Sequence, residues 1–318
     1  MHMAKIRNPA VQSPIARHVA LVLLAAAAIS TAPARAQTAP QGSTASGGES
    51  NVLTEVVVTG TRRTDRSVTD SASPIDIISS ADLKAQPTAN MLDTLTNIVP
   101  SFFVGKNTIS DASTFVRAPS LRGLPSDQVL VLLNGKRFNR SALVQVYNGG
   151  DTGLSFGSHG SDLASIPSIA VKKLEVLRDG ATAQYGSDAI AGVLNYGLRD
   201  DTGFEAVARY GQYQKDSDGE SQQIAMNFGM ALGEHGFANL SAEYNDDGQT
   251  SRGVTRPTAV AFAEENPDLA NTLPHYPLPA QIWGNSPTHG YKLLLNSALD
   301  VSDNSKVYLF ANYADSHT

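Results

Sequence analysis

The chain has 318 residues, room for about two domains, and carries 24 basic against 30 acidic side chains for a net charge of −6. No basic field is available for nucleic acid phosphates, and the absence of cysteine excludes a disulfide scaffold, a cysteine nucleophile and thiolate metal sites. Charged residues make up only 17% and glycines number 26, a balance that suits a β-rich, turn-rich chain.

Lys5, Arg7 and Arg17 precede the apolar run Val19 to Ala28, and Ala34-Arg35-Ala36 follows before Gln37. This is the order of a secretory signal peptide over residues 1–36, with an apolar run too short to span a bilayer. Residues 38–50 are almost free of apolar side chains and are expected to be a flexible tether. Next comes Leu53-Thr54-Glu55-Val56-Val57-Val58-Thr59-Gly60, a short β-branched run. A lone β-forming run on a tether can add to a partner's sheet edge; an ordinary edge strand of the next domain is the alternative.

Residues 66–200 read as an α+β unit. Ser73 to Ile78 is strand-like, and Thr88 is placed to cap a helix whose Met91, Leu92, Leu95 and Ile98 recur at helical spacing until Pro100. Val129 to Leu133 is a continuous apolar run ending in the hairpin signal Asn134-Gly135, after which Lys136 to Phe138 returns. Val171 to Leu177 and Ile190 to Leu194 are two further strand candidates.

Beyond Asp200 the period becomes two. Ile224, Met226, Phe228, Met230 and Leu232 alternate with small or polar residues, over about the 9–11 residues that a tilted membrane strand needs. Similar alternation marks 204–213, 238–244, 291–299 and 307–313. Tight links at 233–236 and 302–304 contrast with a long excursion from Gly248 to Gly290, and Tyr244, Tyr291 and Tyr313 lie near strand ends. Short turns on one side, long loops on the other and an aromatic girdle describe an outer-membrane barrel. A soluble sandwich with one solvated face has the same period and stays open at this point.

These segments resemble the TonB-dependent outer-membrane receptors. The resemblance rests on L-T-E-V-V-V-T-G at 53–60, S-P-I-D-I-I at 73–78, A-N-M-L-D-T-L-T-N-I-V-P-S at 89–101, S-L-R-G-L-P-S-D-Q-V-L-V-L-L-N-G-K-R at 120–137 and, above all, V-K-K-L-E-V-L-R-D-G-A-T-A-Q-Y-G-S-D-A-I-A-G-V-L-N at 171–195. It implies an α+β plug domain inside an antiparallel transmembrane barrel of about 22 strands. Only five strands are countable here, so the chain is expected to be the N-terminal portion of a longer receptor. It further implies export through the periplasm to the outer membrane, contact with outer-membrane lipid, and import of a siderophore, cobalamin or oligosaccharide with energy from TonB, ExbB and ExbD. No cofactor, metal of its own or enzymatic activity is implied.

By the same resemblance the organisation is a signal peptide at 1–36, a linker with the TonB box at 37–65, the plug at 66–200 and the first barrel strands at 201–318. Leu53, Thr54, Glu55, Val56, Val57, Val58 and Thr59 would bind TonB. Arg122, Gly123, Arg178, Asp179, Gly180, Tyr185 and Gly186 would be plug-motif residues, with Arg122 and Arg178 available to barrel carboxylates. Phe103, Tyr147 and His159 are the ligand-contact candidates. Arg178-Asp179-Gly180 stands where many relatives have R-G-P, and Leu194 to Arg199 departs from the usual end of the plug. A non-energised adhesion or structural β-protein would have no use for residues 53–60. A secreted hydrolase would use Ser155 of the string Gly153 to Gly157, but no strand precedes it and no helix pattern follows. The seven histidines are dispersed, without metal-ligand spacing.

Overall fold

The computed structural model describes residues 74–86, 90–105, 116–145, 156–215, 217–273, 284–302 and 304–318. The signal peptide, residues 53–59 and Tyr147 lie outside the described residues, as does Ser155.

The plug is a five-stranded mixed sheet in the order β1-β6-β7-β4-β5. Its strands are β1 (Ile75–Ser79), β4 (Val129–Leu133), β5 (Lys136–Arg137), β6 (Val171–Leu177) and β7 (Gly192–Leu198), while β2 (Phe102–Val104) and β3 (Pro119–Leu121) pair separately. Among the described residues only β4 and β7 run parallel. All five residues of β4 are buried, which explains its unbroken apolar run: Val129, Val131 and Leu133 join the larger core, while Leu130 and Leu132 join a smaller one on the opposite face. The hairpin signal is realised, with Asn134 at φ 47° and Gly135 at φ 75°, the left-handed pair that a two-residue turn requires.

Helix α1 (Ser80–Lys84) starts in a capping box, in which Ser79 and Asp82 bond reciprocally; the Ser79 bonds hold the Asp82 carboxyl below its ordinary value. Helix α2 (Met91–Ile98) is capped by Asn90 rather than Thr88: the Asn90 side chain accepts from the Leu92 N–H at 2.9 Å. It buries Met91, Leu92 and Leu95. The strand expected at 190–194 begins later and runs further, because Gly192 has φ 147° and sits against β6. A Cβ there would lie 2.3 Å from the Leu177 carbonyl oxygen.

A second sheet follows as a meander, β8 (Gly203–Tyr213), β9 (Asp218–Ala231), β10 (Gly236–Asp247), β11 (Thr288–Ser302) and β12 (Ser305–His317), each strand antiparallel to its neighbours. The sheet is open, with β8 and β12 at its edges. The turns after β9 and β11 are short, as read from the sequence. The long connection after β10 also holds helices α4 (Pro257–Glu265) and α5 (Pro267–Ala270), each opened by a proline in its first turn, which the sequence reading missed. A single-turn helix, α3 (Thr182–Tyr185), belongs to the plug.

Burial settles the choice between sandwich and barrel. Leu240, 52% exposed, and its outward neighbours Ile224, Phe228, Leu293 and Leu309 are all exposed. Between them, Gln223, Asn227, Asn239, Ser241, Glu243 and Asn296 are buried against the plug. A soluble sandwich buries the opposite face. A sheet that turns its apolar side outwards and its polar side inwards is built for lipid outside and a polar lumen.

Candidate functional site

The plug meets the concave face of β8–β12 along a polar seam. At its centre Glu243, with a side chain 1% exposed, accepts from the Ser168 N–H at 2.7 Å, from the Ser168 hydroxyl at 2.5 Å and from Lys292 Nζ at 2.7 Å. Ser168 opens the 3₁₀ turn Ser168–Ala170, which has no side-chain cap of its own, so the barrel carboxylate satisfies a free N–H at the entry to β6. Gln223 donates to the Ser168 hydroxyl at 3.2 Å.

Around this seat, inward asparagines bond backbone carbonyls of the plug and of the segment that leaves it. Asn239 donates to the Asp201 carbonyl at 3.0 Å, Asn296 to the Arg199 carbonyl at 2.8 Å and Asn312 to the Ser165 carbonyl at 2.9 Å. The Asn134 turn joins them, its side chain donating to Asn296 at 3.1 Å. Near the short-turn end, Arg199 pairs with Asp201 at 2.7 Å and with Glu205 at 2.5 Å, and Lys84 of α1 also reaches Glu205. Asp201 is the main cause that pushes the Arg199 guanidinium up, and Arg199 in turn holds the Asp201 carboxyl down. Apolar contact also crosses the seam: Leu294 of β11 enters the plug core, and Phe310 of β12 packs against the same cluster.

At the opposite end of the strands, where the long connection attaches, a cleft of about 90 Å³ separates plug from strands. Asn90 and Arg117 line it from the plug, and Glu243, Asp247 and Lys292 line it from the strands. Burial pushes the Arg117 guanidinium down, opposed by Asp93, Asp162 and Asp247.

The plug-motif residues gather at the end of the plug sheet where β1 begins and β6 finishes. Arg178 pairs with Asp76, Nε to Oδ2 at 2.6 Å and Nη2 to Oδ1 at 3.1 Å, clasping β6 to β1. Arg122 and Gly123 form a left-handed turn with φ of 58° and 73°, and Arg122 lies 3.7 Å from Asp179, whose carboxylate also accepts from the Gly180 N–H. Among the described residues both arginines therefore meet plug carboxylates rather than barrel ones, because Asp76 and Asp179 are closer in the folded sheet than any inward carboxylate of β8–β12. Tyr185 and Gly186 sit beside Arg137, which donates to the Tyr185 carbonyl and pairs with Asp188; Arg140 also bonds Asp188, at 2.9 Å. Gly186, at φ 86°, provides the left-handed break between α3 and the following turn.

Two of the three ligand candidates, Phe103 and His159, are among the described residues. Phe103 is 49% exposed on β2 and the half-buried His159 donates to the Ser141 carbonyl; neither lines the cleft. Ser168, Glu243 and Lys292 were not singled out from the sequence. The available signal was a carboxylate and a lysine at inward positions of strands whose neighbours there are small or polar.

The TonB-dependent receptor plug domain family matches residues 67–193. The chain carries a TonB-dependent receptor plug domain. The chain is also 28% identical over 199 residues to the vitamin B12 transporter BtuB of Vibrio cholerae, an alignment covering 61% of this chain and 28% of that protein. Among solved structures, an R480A mutant of the ferric enterobactin receptor PfeA from Pseudomonas aeruginosa superposes with a TM-score of 0.54 at 18% identity, over 77% of this chain and 33% of that one. The siderophore receptor PirA from Acinetobacter baumannii gives a TM-score of 0.53 at 19% identity, over 78% and 32% of the two chains. Plug followed by antiparallel barrel-type strands is thus the receptor fold, and the chain spans about a third or less of these relatives' lengths.

Proposed function

We propose that this chain acts in active transport across the outer membrane, binding a scarce ligand of the siderophore, cobalamin or oligosaccharide kind and importing it with energy from TonB, ExbB and ExbD. The observation that carries the reading is the inverted burial of β8–β12: an apolar face turned outwards and a polar face seated on a plug. The names of the relatives, a vitamin B12 transporter and siderophore receptors, support the ligand class. Lipid cannot pair the open edges of β8 and β12, so in the membrane further strands would close the barrel.

In this reading the short turns face the periplasm and the 248–287 connection faces outside. The ligand is met at the outer end, near the cleft beside Arg117, and the run 53–59 reaches TonB as an added strand. β1 is an edge strand paired only with β6, so tension from its N-terminal side bears first on that pairing and on the Arg178–Asp76 clasp. The Glu243 seat lies beyond β6 and would keep that part of the plug against the wall. Ligand binding must favour the state that exposes the run 53–59, or it could not signal.

Deleting residues 53–59 tests the proposal. Ligand binding by cells should persist while energised uptake is lost; uptake at the parental rate after the deletion would overturn it, and would point to a passive outer-membrane protein.

A further inference from the structure

The histidines are scattered in the sequence, yet strand register brings two of them face to face: His289 of β11 pairs directly with His317 of β12. Their rings stack with centroids 5.3 Å apart and planes at 18°. Both rings are exposed on the outward face, beyond the stacked Tyr291 and Tyr313 and at the end where the long connection attaches. Asp315, on the same face, places Oδ1 2.8 Å from His317 Nε2. A carboxylate behind an imidazole is the arrangement that orients a metal-ligating ring and leaves its other nitrogen available. Among the described residues no other hydrogen bond engages either ring.

We propose that His289 and His317 form a surface site for a divalent late first-row transition metal ion, with Asp315 orienting His317 and water completing the coordination. Imidazole suits copper, nickel and zinc. Metal–nitrogen bonds of about 2.0–2.1 Å put two ligating nitrogens roughly 3–4 Å apart. Directly opposed residues with Cβ atoms about 4.5–5.5 Å apart reach that spacing by side-chain rotation. Exposure leaves both rings free to make it: the His317 side chain is 66% exposed. No group of three or more His, Asp or Glu side chains is arranged as a metal centre among the described residues. The site is therefore an open, two-imidazole one, suited to exchangeable capture rather than to holding the fold together. Tyrosines at the membrane–water boundary leave the histidines on the watery side of it, where an ion can arrive.

The test is a Cu2+ titration of the tag-free, membrane-inserted full chain, read by electron paramagnetic resonance. One saturable ion per chain with two imidazole nitrogens is expected, with Ni2+ and Zn2+ competing less well. H289A and H317A should each weaken binding by about tenfold or more and leave a one-nitrogen spectrum, and D315N should weaken it by about tenfold. H235A, at the short turn after β9, should change nothing. Absence of a saturable site, a one-nitrogen spectrum in the parent, or unchanged binding in either histidine variant would overturn the proposal. Because the site depends on strand register alone, its loss would leave the transport reading untouched.

Discussion

Replacing Glu243 by glutamine probes the seam most directly. The glutamine keeps the size and one acceptor oxygen for Ser168, but it removes the charge that neutralises Lys292. Lys292 Nζ has Glu243 as its ion-pair partner at 2.7 Å, and the two side chains are only 17% and 1% exposed. Stripping one partner from a buried pair costs about 3–5 kcal/mol. The residual exposure of Lys292 into the polar cleft places this case at the lower end, about 3 kcal/mol, roughly a hundredfold in an opening equilibrium. The effect should be local, because the Ser168 bonds hold the start of β6. Amide hydrogen exchange over Val171 to Leu177 should therefore accelerate by about that factor, while exchange in β10 changes less. Adding K292M to E243Q removes the stranded charge and should recover most of the protection, to within about 1 kcal/mol of the parent. Exchange in E243Q equal to the parent, or a double variant worse than the single one, would refute the view that the carboxylate is neutralised chiefly by Lys292.

Three further outcomes follow from burial. Leu240→Arg places a charge on the outward face near the middle of β10 and should cost about 2–4 kcal/mol of stability in a bilayer, read as lost insertion into vesicles; equal insertion would mean that this face does not meet lipid. Asp162 accepts from the Arg117 and Ala164 N–H groups at 2.9 Å and 3.0 Å, and burial raises its carboxyl above the ordinary value. A raised carboxyl means that the folded state holds the proton more tightly, so its contribution is fully present below about pH 3.9 and is lost as pH rises through the folded value. Asp162→Asn keeps the acceptor without the buried charge and should be neutral or stabilising at pH 7, whereas Asp162→Ala should cost about 1–3 kcal/mol in denaturant unfolding. Tyr196 is fully buried and, among the described residues, its hydroxyl has no hydrogen-bond partner. Tyr196→Phe should accordingly leave the plug as stable or more stable by up to about 1–3 kcal/mol; a loss of more than 1 kcal/mol would reveal a hidden partner.

What the sequence determined by itself is what local chemistry decides. The run Val129 to Leu133 and the Asn134-Gly135 turn specified a buried strand and its hairpin, because an apolar run and a left-handed pair leave few alternatives. The two-residue period beyond Asp200 specified strands and the short turns between them, but not their lengths: β8 to β12 run to 11, 14, 12, 15 and 13 residues, beyond the alternating stretches. The match at 171–195 named the plug. Period alone could not tell which face of β8–β12 meets the plug, since a sandwich and a barrel alternate alike; only packing around the plug showed the polar side turned in. Partnerships distant in the chain were equally invisible. Ser168 and Glu243 are 75 positions apart, and Arg178 and Asp76 are 102 apart. His289 and His317 meet because the β11–β12 register places them opposite one another. Periodicity is a property of neighbours along the chain, whereas a buried carboxylate or an opposed pair of rings depends on which strands lie side by side, and that is settled only when the sheets close on their core.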